Sequence, residues 1–248
     1  VYKRQASDPA YAAVNGEDLL PDLAIGRLPA ASLEELNHMI QKILLWESSG
    51  SMLDGKVVLV TDNPDGAGDF VADAEDLAAT VLSSSELRKI YLSQLGAAAT
   101  RGTVRDAFDD GSSLMNYIGH GAIHLWADEN ILNIMDVENL APQNRQPILL
   151  TMNCLNGYFH FPFFNALAEA LLKAEGKGAI AAFSPSGLSL NGPAHVFHRA
   201  MLEAILNGGH ERLGDAVLDA QSAYVQSGAL PEMLAIYHLF GDPAMTLK

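Results

Sequence analysis

The amino-acid sequence predicts an α/β domain with a doubly wound, mostly parallel sheet and helices on both faces. Short apolar runs, bounded by Pro, Gly and Asp, alternate along the chain with stretches whose apolar residues recur at helical spacing. This alternation is typical of consecutive strand–helix–strand units. Right-handed crossovers and the common arrangement of such units then give a sheet with the strand order 2-1-3-4-5.

The composition argues against several classes of protein. The chain has 248 residues, of which 49% are hydrophobic and 18% charged, and this is enough to bury a sizeable core. Its net charge of −15 disfavours nucleic acid or an anionic membrane as the main partner, because both attract positively charged surfaces. No apolar run approaches the roughly 18 residues that a membrane-spanning helix needs. The single cysteine excludes an intrachain disulfide and a metal site built from several cysteines.

The first 30 residues are predicted to be a lead-in, the end of a preceding subdomain, and residues 31–248 to form one domain. The lead-in is rich in Pro, Asp, Gly and Ala and has little periodic structure. The chain begins with neither an initiator Met nor a basic-then-apolar signal, so we expect Val1 to begin a fragment or a processed form.

Five buried strands are predicted from the apolar runs. Each run is continuous rather than alternating, as expected of a strand covered by helices on both faces of a parallel sheet. In chain order the runs are Lys56–Thr61, 88–92, Leu114–Ile118, Ile148–Met152 and 178–183.

Helices are predicted before, between and after these strands. The first begins at a capping box, with Ser32 as N-cap and Glu35 three residues on, and runs to about Glu47. The others are predicted over 69–82, 100–108, 136–140, 165–174, 193–206 and Leu213–Gln226. The helical pattern breaks at residues 237–243, and a short strand is expected at 244–247.

Three chemically active side chains follow strands that should be neighbours. Asp62 follows the first strand, His120 the third and Cys154 the fourth. The predicted order places these strands side by side, and open parallel sheets react at the carboxyl ends of their strands. We therefore expect Cys154 and His120 to form the functional centre of the protein.

A thiol beside an imidazole is typical of nucleophilic catalysis. His120 is the candidate base, because a thiol becomes a strong nucleophile only when it loses its proton. Asp62 can fix the tautomer of the imidazole. The backbone N–H groups of Gly121 and Cys154 can form an oxyanion hole, since glycine lets the chain approach a tetrahedral intermediate closely. The implied reaction is acyl transfer through a thioester, most simply hydrolysis of a peptide bond.

Two other interpretations apply to the same residues. A lone cysteine after a buried strand is also typical of core packing, and a histidine at a strand end is often structural. A zinc site would draw its ligands from His120, His124, His160 and Cys154. That site is disfavoured because the sequence has no close-spaced ligand pair such as H-E-x-x-H. The remaining histidines are expected to be surface or packing residues: His38, His195, His198, His210 and His238.

Several motifs resemble those of a known family. C-L-N-G-Y-F at 154–159, followed by L-A-E-A-L at 167–171, is similar to the nucleophile region of the gingipain-type cysteine peptidases. Y-I-G-H-G at 117–121, followed by W-A-D at 126–128, is similar to their histidine region. Shorter matches are P-D-L-A-I-G-R-L-P at 21–29, T-D-N at 61–63 and F-G-D-P at 240–243. The resemblance extends over nearly the whole chain and implies a caspase-like fold.

The resemblance implies roles for individual residues. Cys154 would be the nucleophile, His120 its partner and Asp62 the acid that orients the ring, while Trp126 would line the S1 pocket. It also implies polypeptide substrates, an extracellular or cell-envelope location, further domains in a longer protein, and chemistry that needs no cofactor. A structural calcium ion is a further expectation, since some relatives bind calcium.

The resemblance further implies cleavage after Arg or Lys, which gingipains achieve with an acid in S1. Asp65, Asp69 and Asp73 are the candidates, and Asp69 is preferred, because a buried carboxylate suits a substrate guanidinium. The same acids are also suited to capping the helix predicted at residue 69. Tyr158 departs from the family, whose members usually carry an acid at that position.

Three alternative functions follow from the same fold. An acyl-transferring sorting enzyme would use the same Cys154–His120 pair with an amine as acceptor. A non-catalytic caspase-like binding module would have kept the fold without needing Cys154, His120 or the glycines beside them. A flavodoxin-like domain would bind a coloured cofactor.

Overall fold

The predicted alternation of strands and helices is present in a computed structural model of the chain, which describes residues 6–16, 18–49, 53 and 55–247. The strands are β1 (Lys56–Thr61), β2 (Glu86–Tyr91), β3 (Leu114–Ile118), β4 (Gly121–Ala122), β5 (Leu125–Trp126), β6 (Leu132–Asn133), β7 (Ile148–Met152), β8 (Ala181–Pro185) and β9 (Tyr237–Phe240). The helices are α1 (Pro9–Ala12), α2 (Leu33–Ser48), α3 (Phe70–Thr80), α4 (Leu92–Leu95), α5 (Ala97–Asp110), α6 (Ile134–Glu138), α7 (Leu167–Lys173), α8 (Asn191–Leu206), α9 (Leu213–Gln226) and α10 (Glu232–Ile236).

Six strands form the main sheet, in the order β2-β1-β3-β7-β8-β9. The first five of these are parallel to their neighbours and have the order predicted from the sequence. The sixth, β9, is antiparallel to β8. Strands β4, β5 and β6 form a small antiparallel sheet of their own that begins shortly after β3 ends. The predicted fold class, a mostly parallel doubly wound sheet, is confirmed.

Helices cover both faces of the main sheet, which explains why its inner strands β1, β3, β7 and β8 are mostly apolar. Val57 and Leu59 of β1 join an apolar cluster with α3, α8 and α9 on one face. Val58 and Val60 join a second cluster with α5 and α7 on the other face. Successive side chains of a strand point to opposite faces, so a strand buried on both is mostly apolar, and its few polar side chains are hydrogen-bonded, as Thr151 of β7 is to Ser184 of β8.

The C-terminal strand differs from the prediction. The structure has β9 at Tyr237–Phe240, all of it buried, instead of a strand at 244–247. Pro243 follows closely and lacks the N–H that a further ladder bond would need. Thr246, inside the predicted strand, forms a single antiparallel bridge with Arg212.

The lead-in segment lies along the outer edge of β9. The Arg27 N–H donates to the Leu239 carbonyl at 2.9 Å, and the Gly241 N–H donates to the Arg27 carbonyl at 2.8 Å. The Arg27 guanidinium binds the buried Asp8 carboxylate, with Nε donating at 2.8 Å. The division of the chain at residue 30 stays a prediction. None of the helices in the described ranges is both long enough and apolar enough to cross a membrane.

Candidate active site

Cys154 lies in a tight turn just past the carboxyl end of β7. Leu155 adopts a left-handed backbone conformation, with φ of 64°, and its N–H donates to the Gly187 carbonyl at 3.1 Å. The thiol lies against the loop after β8, where the Ser189 N–H donates to Sγ at 3.3 Å. The neighbouring strands β7 and β8 thus hold the thiol between their carboxyl ends.

His120 lies past the carboxyl end of β3, the other neighbour of β7. Its main chain is fixed on both sides: Tyr117 Oη donates to the His120 carbonyl at 2.6 Å, and the His120 N–H donates to Asp62 Oδ2 at 3.0 Å. Its half-exposed ring packs edge-on against Phe70, with 5.5 Å between ring centroids. Nε2 of the ring lies 2.7 Å from Asp65 Oδ2.

The thiol and the imidazole share one small cleft of about 40 Å³. The strand order explains the meeting, since β3 and β7 pair in register over their whole lengths. The cleft is lined by Ala67, Phe70, Gly119, His120, Met152, Asn153, Cys154, Ser189, Asn191 and Ala194. The structure therefore brings together the two residues on which the sequence-based hypothesis depends.

Asp62 contacts His120 in a different way from the one expected. Its buried carboxylate accepts from the main-chain N–H groups of His120 and Asn63, at 3.0 and 2.7 Å, instead of from the ring. Burial raises the pKa of Asp62, and these two N–H donors act in the opposite direction. The carboxylate on the ring is Asp65, which the sequence suggested only as a candidate for substrate binding.

Asp65 is held in place by its own turn. Its Oδ1 accepts from the Ala67 N–H at 2.7 Å, while Oδ2 contacts the His120 ring. The Ala67 N–H and the His120 ring both lower the pKa of Asp65. The carboxylate is thus ionised and ready to stabilise a protonated imidazole.

The Cys154 side chain is a neutral thiol with a raised pKa. Burial raises its pKa, and the hydrogen bond from the Ser189 N–H acts in the opposite direction. A thiol with a raised pKa needs a base at the moment of attack. Ser189, which sequence reasoning missed, follows β8, and β8 neighbours β7; the strand order was the signal that could have pointed to it.

Gly121, next to His120, lies against the loop that carries Cys154. A Cβ at this position would lie 2.3 Å from Asn153 Nδ2 and 2.8 Å from the Cys154 carbonyl oxygen. Only glycine fits that space. The role of the Gly121 N–H group in an oxyanion hole stays a prediction.

The two residues predicted to bind substrate lie away from the cleft walls. Trp126 is 0% exposed and stacks on Tyr117, with 4.4 Å between ring centroids. It belongs to the buried apolar cluster that also contains residues of α5 and α7. Asp69 is the N-cap of α3, and its Oδ1 accepts from the Ala72 N–H at 2.9 Å. Asp73, one turn later, accepts from Nδ2 of the cleft residue Asn191 at 2.7 Å.

The residues considered for a metal site are dispersed. The His124 ring packs edge-on against Phe164, and the His160 ring lies 3.9 Å from that of Tyr158. In the described part of the chain, no three His, Cys, Asp or Glu side chains are grouped as metal ligands. These four residues are therefore not arranged as the zinc site considered from the sequence, and the calcium expectation has no assigned residues.

Comparison with known proteins gives one family. A sequence model of peptidase family C25 matches residues 1–248. Gingipain R2 of Porphyromonas gingivalis is 25% identical over 259 aligned positions, which cover 98% of this chain and 35% of that protein. Gingipain R1 of the same species is also 25% identical, over 98% of this chain and 26% of its own length. The chain thus spans about a third or less of the length of these relatives.

Solved structures agree on the fold. The Arg-specific cysteine proteinase gingipain R superposes with a TM-score of 0.85 and 24% identity, over 97% of this chain and 59% of that one. The Saccharomyces cerevisiae separase–securin complex superposes with a TM-score of 0.60 and 15% identity, over 89% of this chain and 14% of that one. The fold is the caspase-like one. Because the family model matches the whole sequence, the chain belongs to peptidase family C25, a family of cysteine-type peptidases.

Proposed function

We propose that this chain carries the catalytic centre of a cysteine endopeptidase that hydrolyses polypeptides through a thioester intermediate. The observation that supports the proposal is the cleft shared by Cys154 and His120, in which the Asp65 carboxylate contacts the imidazole. An unreactive core cysteine would have no need of a neighbouring imidazole with its own carboxylate. The activity, substrates and partners of the whole protein belong to this proposal, because the chain covers only part of its relatives.

Acylation begins with proton transfer from Cys154 Sγ to the His120 ring. Asp65 contacts Nε2 and so leaves Nδ1 as the nitrogen that takes the proton. The thiolate then attacks the substrate carbonyl carbon, and the N–H groups of Gly121 and Cys154 are the proposed donors to the oxyanion. Collapse of the tetrahedral intermediate breaks the C–N bond, and the amine leaves with the proton from His120.

Deacylation uses the same groups in reverse. His120 removes a proton from water, and the resulting hydroxide attacks the thioester carbonyl. The C–S bond breaks, the carboxylic acid product leaves, and Cys154 recovers its proton from His120. The raised pKa of the thiol supports this route, in which His120 removes the proton at the start of acylation, over a thiolate–imidazolium pair that exists before the substrate binds.

Within this proposal the enzyme cleaves after Arg or Lys. An acid near the cleft would pair with the basic side chain, and the contacts favour Asp73 over Asp69. Asp73 reaches the cleft through Asn191, whereas Asp69 already caps α3. A carboxylate held behind a substrate pocket is a strong partner for a guanidinium. Further domains and a location outside the cell or in its envelope are parts of the same proposal, suggested by the gingipain relatives.

An irreversible thiol-directed probe tests the proposal. The probe carries a short peptide with Arg or Lys at P1, and matched peptides carry Ala or Asp. We expect fast labelling of Cys154 by the basic peptides, with none in Cys154→Ala and slow labelling in His120→Ala. Slow labelling that ignores both the peptide and His120 would make Cys154 an ordinary thiol and overturn the proposal.

Two further variants and one additive refine the test. Asp73→Asn is expected to remove the preference for a basic P1 residue, whereas Asp69→Asn keeps it. The reverse result would assign the selectivity to Asp69. An added amine nucleophile distinguishes hydrolysis from acyl transfer, since a sorting enzyme would form the amide and a hydrolase the free acid.

A further inference from the structure

We propose that Asn156 is a positioning residue that holds the nucleophile loop, residues 153–157, against the histidine hairpin, residues 119–127. The inference rests on the proposed function, because it concerns the same catalytic pair. Asn156 touches neither Cys154 Sγ nor the His120 ring through any hydrogen bond of its side chain. Its effect on the reaction would therefore pass through the backbone of the two loops.

Both N–H groups of the Asn156 side-chain amide donate to the histidine hairpin. It is 1% exposed, and its Nδ2 donates to the carbonyl oxygens of Ala122 and Leu125, at 2.5 and 3.1 Å. An amide nitrogen has two hydrogens, so neither is left for another partner. Ala122 and Leu125 face each other in the β4–β5 pair, and the amide therefore binds both sides of the hairpin.

The oxygen of the same amide forms a hydrogen bond within the nucleophile loop. Asn156 Oδ1 accepts from Asn153 Nδ2 at 2.5 Å, so the two asparagines bracket Cys154 along the chain. The main-chain carbonyl of Asn156 also accepts from the Ala168 N–H at 3.0 Å, which ties the loop to the first turn of α7. The loop is thus held at its two ends around the nucleophile.

These contacts join the loop that carries Cys154 to the hairpin that carries His120. His120 directly precedes β4, whose carbonyl at Ala122 accepts from Asn156. At Gly121 the hairpin already lies in van der Waals contact with Asn153, with no room for a Cβ. Loss of the Asn156 amide would remove its two hydrogen bonds to the hairpin, and the hairpin would then be held by backbone bonds such as that from the Gly119 N–H to the Met152 carbonyl at 3.3 Å. We expect the two loops to shift relative to each other. A displacement of about 1 Å at reacting atoms costs about 100-fold in rate.

A buried amide can also matter for stability alone, and Asn116 offers a matched control. Asn116 is 0% exposed; its Nδ2 donates to the Val58 carbonyl at 3.1 Å, and its Oδ1 lies 2.7 Å from His198 Nε2. Both amides are buried and hydrogen-bonded through nitrogen and oxygen, but the side-chain partners of Asn116 lie outside the nucleophile loop and the histidine hairpin. Asn116→Ala should lower the free energy of unfolding without changing the relation between Cys154 and His120.

The experiment measures the rate of Cys154 alkylation by iodoacetamide as a function of pH, with the whole 248-residue chain. We expect His120→Ala to slow alkylation near neutral pH, and Asn156→Ala to cause most of the same slowing. The double variant should be no slower than His120→Ala alone. Asn116→Ala should alkylate at the wild-type rate and keep its full sensitivity to His120→Ala. On a basic peptide, Asn156→Ala should lower kcat about 100-fold with KM little changed.

The outcomes separate this inference from the proposed function. If Asn156→Ala keeps the wild-type dependence on His120, the positioning role is overturned and the catalytic pair stands. If His120→Ala itself leaves the rate unchanged, the catalytic pair is overturned, and the positioning role with it. Asn156→Asp covers the case in which the alanine variant does not fold, as judged by circular dichroism. It keeps the shape and the Oδ1 acceptor but removes both donors, and it should behave as Asn156→Ala does.

Discussion

Two carboxylates act on different parts of His120. Asp62 is buried and fixes the main chain, whereas Asp65 is half-exposed and contacts the ring. In the proposed mechanism, the first contact positions the imidazole, and the second leaves Nδ1 as the ring nitrogen available to the thiol. Because Ala67 fixes the other oxygen of Asp65, the carboxylate keeps its orientation when no substrate is present.

Asp65→Asn is expected to lower kcat/KM about 10- to 100-fold while leaving the free energy of unfolding almost unchanged. The amide keeps the acceptor for Ala67 but cannot stabilise the imidazolium by charge. The loss should be smaller than the roughly 10⁴-fold loss seen when the buried aspartate of a Ser-His-Asp triad is neutralised, because solvent reaches Asp65. Peptide hydrolysis and urea unfolding are the measurements. Asp62→Asn is the control, and it should lower both quantities.

At the scale of whole elements, local patterns predict the structure well. Strands Leu114–Ile118 and Ile148–Met152 have the bounds that the apolar runs indicate. The helix α2 begins as its capping box predicts, with the Glu35 N–H donating to Ser32 Oγ at 3.1 Å. Cys154 and His120 come together because they follow neighbouring parallel strands. Predicting this contact requires only the order of the strands in the sheet.

Elements whose formation depends on distant partners could not be predicted in the same way. The four-residue strand β9 forms by pairing with the edge of β8. The two-residue strands of the histidine hairpin are too short to show the alternation of apolar and polar residues that marks a strand. The hairpin turns Trp126 into the core, which the motif alone does not indicate. The choice between Asp62 and Asp65 likewise depends on the path of one loop, which no strand pattern sets.

A buried lysine connects α2 to the end of α7 and the start of β8. Lys42 is 2% exposed, and its Nζ donates to the carbonyl oxygens of Leu171, Lys177 and Ala179, at 3.2, 3.1 and 2.9 Å. A lysine at this position satisfies the end of α7, whose last carbonyls lack partners within the helix. The α2 helix is thus attached by hydrogen bonds as well as by apolar contacts.

Lys42→Met should lower the free energy of unfolding by about 3 kcal/mol. Methionine fills a similar volume but removes the Nζ donor from the carbonyls of Lys177 and Ala179, at a cost of about 1–3 kcal/mol each before solvent enters. The Leu171 carbonyl keeps the Ala179 N–H at 3.1 Å. Lys89→Met is the matched control, because Lys89 forms only a surface ion pair with Glu75 and should change stability by less than about 1 kcal/mol. Equal losses in the two variants, measured by urea unfolding, would contradict the assignment.

At the scale of the whole molecule, buried histidines link stability to pH. His198 is 0% exposed, and burial lowers its pKa to about 3, with the nearby His195 acting in the same direction. Burial likewise lowers the pKa of His238 to about 4. Both rings are neutral in the folded protein at pH values where the unfolded chain already binds a proton. Their contribution to stability is complete above pH 6.5 and is lost as the pH falls towards the folded pKa.

We therefore expect the free energy of unfolding to fall between pH 7.5 and pH 5, with His198 contributing about 2 kcal/mol of the decrease. His198→Gln keeps a donor for Asn116 Oδ1 but does not titrate, so its stability should fall less over the same range. Urea unfolding at the two pH values gives the difference. A variant that loses as much as the wild type would contradict the assignment.

The two outer strands of the main sheet are protected by different means. The β9 edge is occupied by the backbone of Arg27, whereas β2, at the opposite end, carries Arg88 and Lys89 in ion pairs with Asp110 and Glu75. Charged side chains on an unpaired edge oppose the addition of a strand from another molecule. In the described part of the chain, one edge of the sheet is thus covered by the chain itself and the other carries charge, and we expect removal of Arg88 and Lys89 to favour pairing of this edge with a strand of another molecule.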